Sequence, residues 1–233
     1  MEMEEQKQTV NNMFSSIAKK YDAANSWITF GLDNLWRNKL VRLSSPSKDA
    51  HILDCATGTG LLAYAFLKAI GEKGRVDAVD FCADMLKQIK YKDPRFYATQ
   101  ADVMALPFSN QTFDITAIAY GLRNLPDIKK GLEEMARVTK SDGYLMVLET
   151  GKPSNPMMLP LIQLYCRWIM PLMGGWITGQ YSAYKYLNQT SSNFPSGQIL
   201  IDIFNSTGCF KDVSCYPLMG GASFIYKAQV HHT

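Results

Sequence analysis

The stretch Asp54-Cys-Ala-Thr-Gly-Thr-Gly60 follows a short apolar run, His51–Ala56, and precedes an apolar-striped segment, Leu61–Ile70. A strand, a glycine turn and a helix in that order form a cradle. Gly58 and Gly60 let the backbone approach a ligand closely, and the helix start offers unpaired N–H groups. Asp80 ends the next expected strand, Val76–Asp80, 20 residues after Gly60, where a carboxylate can accept both hydroxyls of a ribose. Asp102, in Ala101-Asp-Val103, follows a short third strand, Phe96–Thr99, and is placed to read the amino group of an adenine.

Two ligands satisfy this pattern. Gly58-x-Gly60-x-x-Ala63 fits the relaxed dinucleotide fingerprint G-x-G-x-x-A. Asp54, at the strand end before the glycines, would repel a pyrophosphate and attract a cationic amino group. The chain also closes in a strand pair rather than a second nucleotide-binding half. Both features favour S-adenosylmethionine. The plain alternative is a tight turn with no ligand.

The elements that must position these residues come next. The chain has 233 residues, 47% apolar and 19% charged, with a net charge of +3. That composition excludes disorder as the main state, and the balanced charge gives no reason to expect nucleic acid. Cys55, Cys82, Cys166, Cys209 and Cys215 form no C-x-x-C pair, so neither a disulfide framework nor a metal site is expected, and a reducing cytoplasm fits. Met1–Gln8 is polar, not a signal core. Val10, Met13, Phe14, Ile17 and Tyr21 recur at helical spacing, and Trp27–Leu43 reads as a second helix. Strand and helix then alternate, with further helices at Ala83–Lys90 and Ile128–Thr139, the latter capped by Asp127. Ile115–Ala119 is the fourth strand and Tyr144–Glu149 the fifth, entered through an Asp142-Gly143 turn. Five such repeats define an α/β fold with a mostly parallel sheet and helices on both faces. Ile199–Ser206 reads as a late helix, and Val213–Tyr216 with Ser223–Ala228 as the closing strands.

Met157–Ile177 holds one full charge, Arg167, but is interrupted by Pro160, Pro171, Gly174 and Gly175. It reads as a broken apolar helix pair that lines a greasy pocket or touches a membrane surface, not as a membrane span.

A wider set of residues carries a resemblance. Asn12-Met-Phe-Ser-Ser-Ile-Ala-Lys-Lys-Tyr-Asp22, Trp36-Arg37, the glycine loop, Asp80-Phe-Cys-Ala-Asp-Met-Leu86, Leu106-Pro-Phe108, Gly121-Leu-Arg-Asn124 and Phe194-Pro195 together resemble the ubiquinone/menaquinone C-methyltransferases, from about residue 10 to 228. The resemblance implies a class I, Rossmann-like methyltransferase with a seven-stranded sheet in one domain. Residues 1–45 would be a helical lid, 46–150 the donor core, 151–195 an apolar insertion over the acceptor, and 196–233 the last helix and strand pair. S-adenosylmethionine would be the methyl donor, and a polyprenylated quinol the acceptor, methylated on a ring carbon. The donor set expected is Asp54, Gly58, Thr59, Gly60, Asp80, Phe81, Asp102 and Val103. The chain departs from the family pattern at Leu61, Ala119 and Tyr226, the last standing where many members have His.

Such a reaction needs the quinol hydroxyl to ionise. His51 starts a strand, at the end away from ligand, and His231 and His232 form the tail, so none is the expected activator. Arg123 is, because it follows the fourth strand at the edge where open sheets bind ligand; Asn124 can orient the same oxygen. Tyr21, Tyr120 and Tyr165 are expected to meet the acceptor, and Tyr21-Asp22 to belong to a lid. Glu149 either faces the acceptor or satisfies a loop N–H. A nicotinamide-dependent oxidoreductase would need a pair such as Tyr181-x-x-x-Lys185, which lies beyond the fifth strand. The sequence leans toward a naphthoquinol over a benzoquinol, and toward a cytoplasmic protein at the inner membrane face; a homodimer stays open.

Overall fold

The computed structural model describes residues 2–152 and 164–232. Seven strands form one sheet: β1 (His51–Cys55), β2 (Arg75–Asp80), β3 (Phe96–Gln100), β4 (Phe113–Ala119), β5 (Thr139–Thr150), β6 (Phe210–Leu218) and β7 (Ser223–Val230), in the order β3-β2-β1-β4-β5-β7-β6. The first five run parallel, and β7 lies antiparallel between β5 and β6. The central strands are apolar on both faces because helices cover both. Leu53, Ile118, Leu145 and Val147 belong to one core, and Ile52, Ala117, Met146 and Leu148 to the other. The chain order reverses between β1 and β4, so their C-terminal ends open a crevice there.

The helices are α1 (Glu2–Ile17), α2 (Tyr21–Ile28), α3 (Leu32–Ser44), α4 (Leu61–Ala69), α5 (Ala83–Leu86), α6 (Ile128–Val138), α7 (Met170–Thr178), α8 (Tyr181–Asn193) and α9 (Gln198–Ser206), with a π-helical turn at Tyr165–Ile169. Asp127 caps α6 as expected, accepting from Lys130 N at 2.9 Å.

Several boundaries differ from the sequence reading. The first helix starts eight residues before Val10, at Glu2, and gives way to a 3-10 turn, Ala18–Lys20, before Tyr21. The expected helix Trp27–Leu43 is broken: Phe30 (φ 52°) and Gly31 (φ 75°) turn left-handed between α2 and α3. Thr29 Oγ1 locks that turn, lying 2.8 Å from Asn25 O and 2.9 Å from Asp33 Oδ1. The helix expected to reach Lys90 stops at Leu86: Lys87 N still reaches back four residues to Ala83 O, but Gln88 N and Ile89 N reach back only three, to Met85 O at 2.9 Å and Leu86 O at 3.1 Å. Helix α6 ends at Val138, and β5 begins at Thr139, because Asp142 (φ 63°) makes an irregularity within the strand instead of a turn before it. Of the apolar segment read from the sequence, residues 157–163 lie outside the described residues.

Helices α1 and α2 lie over the C-terminal edge of the sheet. Ile17, Ala24 and Ile28 are buried against Tyr184 and Leu187 of α8, while Ala18 is buried with Cys82 and Met85 beside β2. Gly174 of α7 sits against the Tyr184 ring so closely that a Cβ there would collide with it.

Candidate active site

A cleft with about 1020 Å³ of empty space, open mouth included, lies over the ends of β1, β2 and β4. Its floor is the glycine loop. Gly58 (φ 59°) and Gly60 (φ 83°) hold the left-handed conformations that the turn requires, and a Cβ on Gly58 would come within 3.2 Å of Met85 Cε. Gly121 on the opposite wall also leaves room, because a Cβ there would stand 2.6 Å from that of Ala56.

Four aspartates line this space: Asp22, Asp54, Asp80 and Asp102. Asp54 is 1% exposed. Its Oδ2 accepts from Thr57 Oγ1 (2.6 Å) and Ala63 N (3.0 Å), and no hydrogen bond to Oδ1 is present among the described residues. Burial pushes its carboxyl up to about 7, against the opposing pull of Thr57, the Ala63 N–H and the Arg37 charge. Asp80 accepts from Gly58 N (2.7 Å) and Cys82 N (2.8 Å), one on each oxygen, and burial raises its pKa despite them. Each oxygen keeps a lone pair for a further donor. Asp102 accepts from Met104 N (2.9 Å) on Oδ1 and from Lys7 Nζ (2.7 Å) on Oδ2. Phe81 lines the cleft with a partly exposed ring, and Val103 lines it buried. Thr59 Oγ1 donates to Asp22 Oδ1 at 2.7 Å, tying α2 over the glycine loop.

The second group of expected residues forms the far wall. Tyr120 (φ 58°) and Asn124 line the cleft; Arg123, between Gly121 and Asn124 on a 3-10 turn, faces the other side. There it borders a groove shared with Ile128, Tyr186, Gln189, Thr190, Asn193 and Phe194. Its guanidinium, 7% exposed, is 2.5 Å from Glu149 Oε1, and the Glu149 side chain is fully buried. Glu149 also accepts from Thr150 N at 2.8 Å and Arg123 N at 3.3 Å. Of the two roles left open for Glu149, the loop N–H is satisfied, and the arginine is held as well. The buried Tyr120 Oη, Arg123 Nε, Asn124 Oδ1 and Tyr184 Oη have no hydrogen-bond partner among the described residues. Burial raises the Tyr21, Tyr120 and Tyr184 phenols above the ordinary tyrosine value, so all three stay protonated at neutral pH.

Tyr21 lines the cleft and packs edge-on against Phe14, with centroids 5.8 Å apart. Tyr165 does not line it; its hydroxyl donates to Ile28 O at 2.6 Å, and its ring lies 6.1 Å from that of Phe30. His51 is remote from the cleft, 2.5 Å from Asp77 Oδ2, and His232 Nε2 is 2.8 Å from Thr139 O. Tyr226 is buried, and its hydroxyl accepts from Gly197 N at 2.7 Å.

Sequence reasoning missed Lys7, Arg37, Thr57 and Tyr184. Arg37 was legible as an i, i+4 partner of Asp33 (2.6 Å), but not as a wall of the cleft.

A parallel sheet that ends in an antiparallel pair, with a glycine cradle and an acidic residue closing β2, defines a class I S-adenosylmethionine-dependent methyltransferase. Solved structures agree on the fold. A methyltransferase from Thermotoga maritima, described as a possible histamine N-methyltransferase, superposes with a TM-score of 0.67 at 16% identity, covering 94% of this chain and 98% of that one. One from Aquifex aeolicus gives 0.62 at 19% identity, over 84% and 89% of the two chains. The ubiE/COQ5 methyltransferase family profile matches residues 1–229, and the chain belongs to that family. The ubiquinone/menaquinone biosynthesis C-methyltransferase of Bdellovibrio bacteriovorus is 40% identical over 225 residues, 95% of each chain. The demethylmenaquinone methyltransferase of Desulfitobacterium hafniense is 37% identical over 206 residues, 85% of this chain and 81% of that one.

The cleft fits S-adenosylmethionine. Its two glycines leave backbone space, its carboxylates suit a ribose and two amino groups, and Phe81 offers a ring face for a base.

Proposed function

We propose that this enzyme methylates a ring carbon of demethylmenaquinol to complete menaquinol. The reading is carried by the buried Arg123–Glu149 pair behind the cleft wall, next to Tyr120 and Asn124, which line the cleft and whose unpartnered buried polar atoms suit a quinol headgroup. The name of the Desulfitobacterium relative supports the naphthoquinol. The Bdellovibrio relative, at the higher identity, bears a name that spans both quinones, so the methoxy-benzoquinol is the second reading.

The bound donor supplies an electrophilic methyl group on a sulfonium. The chain would hold it with Asp54 on the amino group, Asp80 on the ribose hydroxyls, Asp102 and Val103 at the adenine, Phe81 against its face, and Gly58, Thr59 and Gly60 beneath. Arg123 acts from behind the cleft wall: Glu149 fixes its guanidinium in the neighbouring groove, and its cationic end favours the phenolate through space, as it bears on the Tyr21 phenol, while the phenolate charge spreads to the ortho carbon. Asn124 Oδ1 accepts a hydrogen bond from the quinol hydroxyl and orients it, and on ionisation the proton leaves to water. Tyr21 and Tyr120, kept protonated, are donors to the same headgroup. Tyr165 serves indirectly, pinning the apolar insertion to α2.

Residues 1–45 act as the lid, joined to the core by Lys7–Asp102 and Asp22–Thr59. No helix among the described residues is long and apolar enough to cross a membrane. An exposed apolar face nonetheless runs through Leu164, Leu172 and Trp176, spaced by multiples of four, with Trp27 and Phe30 from the neighbouring α2 end. Trp176 is 89% and Phe30 75% exposed. That face is the side we assign to the membrane surface, where a lipid-borne quinol resides.

The test follows labelled methyl from S-adenosylmethionine into demethylmenaquinol and the polyprenyl methoxy-benzoquinol, both reduced and in detergent. Transfer to the naphthoquinol, lost in Arg123→Met with donor binding retained, is the expected result. Transfer to neither, with the donor bound, overturns the reading.

A further inference from the structure

The amino-acid end of the donor carries a carboxylate as well as an ammonium, on one carbon. If Asp54 takes the ammonium, the carboxylate must find donors within one carboxylate's reach of Asp54. Two cationic residues line the cleft, Lys7 and Arg37. Lys7 is bound to Asp102, beyond β3 at the adenine end. Arg123 borders the separate groove and is sealed against Glu149. Arg37 remains.

Its side chain is 9% exposed and comes from α3, outside the sheet-and-crossover core. Asp33 fixes it through Nη1 at 2.6 Å, and Asn34 Oδ1 is 3.5 Å from the same nitrogen. Asp33 is itself held by Thr29 Oγ1 at 2.9 Å. The guanidinium carbon lies 5.9 Å from the centre of the Tyr120 ring. Nη1 is thus committed, while Nε and Nη2 make no hydrogen bond among the described residues. A planar guanidinium anchored at one nitrogen keeps donors for a carboxylate, in a fixed orientation. Its charge also bears on Asp54 and Tyr21.

We infer that Arg37, anchored by Asp33, is the binding residue for the carboxylate of the donor's amino-acid end. The lid region then does more than cover the cleft: it completes a subsite for a zwitterion, with Asp54 on one charge and Arg37 on the other. This rests on the reading of Asp54 as the ammonium site.

The experiment is calorimetric binding of S-adenosylhomocysteine and two analogues, one without the carboxylate and one without the amino group, to the full chain. The native protein should favour S-adenosylhomocysteine over the decarboxylated analogue by about 10- to 100-fold, the range for a hydrogen bond to a charged group. Arg37→Gln should remove that preference by weakening S-adenosylhomocysteine alone. Arg37→Lys, which keeps the charge and the stem, should retain a reduced preference, and it carries the test where Arg37→Gln does not fold. Equal weakening of both ligands in these variants, or an unchanged preference, overturns the assignment. Native protein that binds the deaminated analogue as tightly as S-adenosylhomocysteine refutes the Asp54 reading separately, whatever Arg37 does.

Discussion

Asp54 allows a prediction in which stability and binding move in opposite directions. Its carboxyl rises from 3.8 to about 7 because burial penalises the charged form more than Thr57, Ala63 and Arg37 favour it. A group whose pKa is raised in the folded state stabilises that state fully below its unfolded value. The contribution is lost as pH climbs to the folded value. The window is therefore pH 3.8 to about 7. The gap of about three pH units corresponds to about 4 kcal/mol absent at pH 8. Asp54→Asn removes that dependence. After about 2 kcal/mol is subtracted for weakening the hydrogen bonds from Thr57 and Ala63, the variant should be about 2 kcal/mol more stable than the native protein at pH 8. An ammonium bound at Asp54 reverses the balance, because it favours the ionised form. Binding of S-adenosylhomocysteine should then release about 0.9 proton at pH 6 and almost none at pH 8.5, read by calorimetry in buffers of different ionisation enthalpy. Affinity should fall toward tenfold per pH unit below 7, and Asn at this position should lower it at least tenfold at pH 8. A pH-independent affinity with no proton release would refute the reasoning. So would an Asp54→Asn variant less stable than the native protein at pH 8.

Three other perturbations follow. Glu149→Gln leaves a buried guanidinium without its counter-ion and should cost about 3 kcal/mol in urea unfolding, with part restored by adding Arg123→Met; additive losses would mean that the pair is not coupled. Deleting residues 1–22 removes the Lys7–Asp102 and Asp22–Thr59 ties. The sheet should still fold by circular dichroism while turnover disappears, and full activity would dismiss the lid. Trp27→Ser and Trp176→Ser should each weaken vesicle co-sedimentation by about tenfold, the value of one large apolar side chain leaving water; unchanged sedimentation would remove the membrane-facing assignment.

The sheet was legible because its evidence is local. Each strand is a short apolar run, and glycines or acidic residues mark where it ends. The donor cradle was legible for the same reason: Asp54, Gly58, Gly60 and Asp80 lie within 27 residues and must share one sheet edge. The break between α2 and α3 was less so. Gly31 was a visible cue, but Phe30 in the left-handed region was not, since a large side chain seldom adopts it. Pairings across long separations gave no signal at all. Lys7 and Asp102 are 95 residues apart. Arg123 and Glu149 were recoverable from topology, because Arg123 follows the C-terminal end of β4 and Glu149 lies at the C-terminal end of the adjacent parallel strand β5. Tyr184 gave itself away only in three dimensions, through the glycine that makes room for its ring.

The arrangement of charge also explains how this chain can place arginines around a site for a cationic donor. An unpaired guanidinium within about 6 Å of another unit cation would cost about 3 kcal/mol at an effective dielectric of 20. Both arginines discussed here arrive neutralised: Arg37 by Asp33, Arg123 by Glu149. Each partner carboxylate is buried, so each arginine contributes oriented N–H donors rather than net charge. The carboxylates that line the cleft without a cationic partner among the described residues, Asp22, Asp54 and Asp80, then set its sign, and it suits a cation. Arg123 therefore acts across the turn at Leu122–Asn124 as the cationic end of a buried ion pair, and a sulfonium in the cleft meets a dipole instead of a free cation. Replacing Glu149 should thus damage the reaction twice, by freeing the arginine's orientation and by setting an uncompensated cation against the donor.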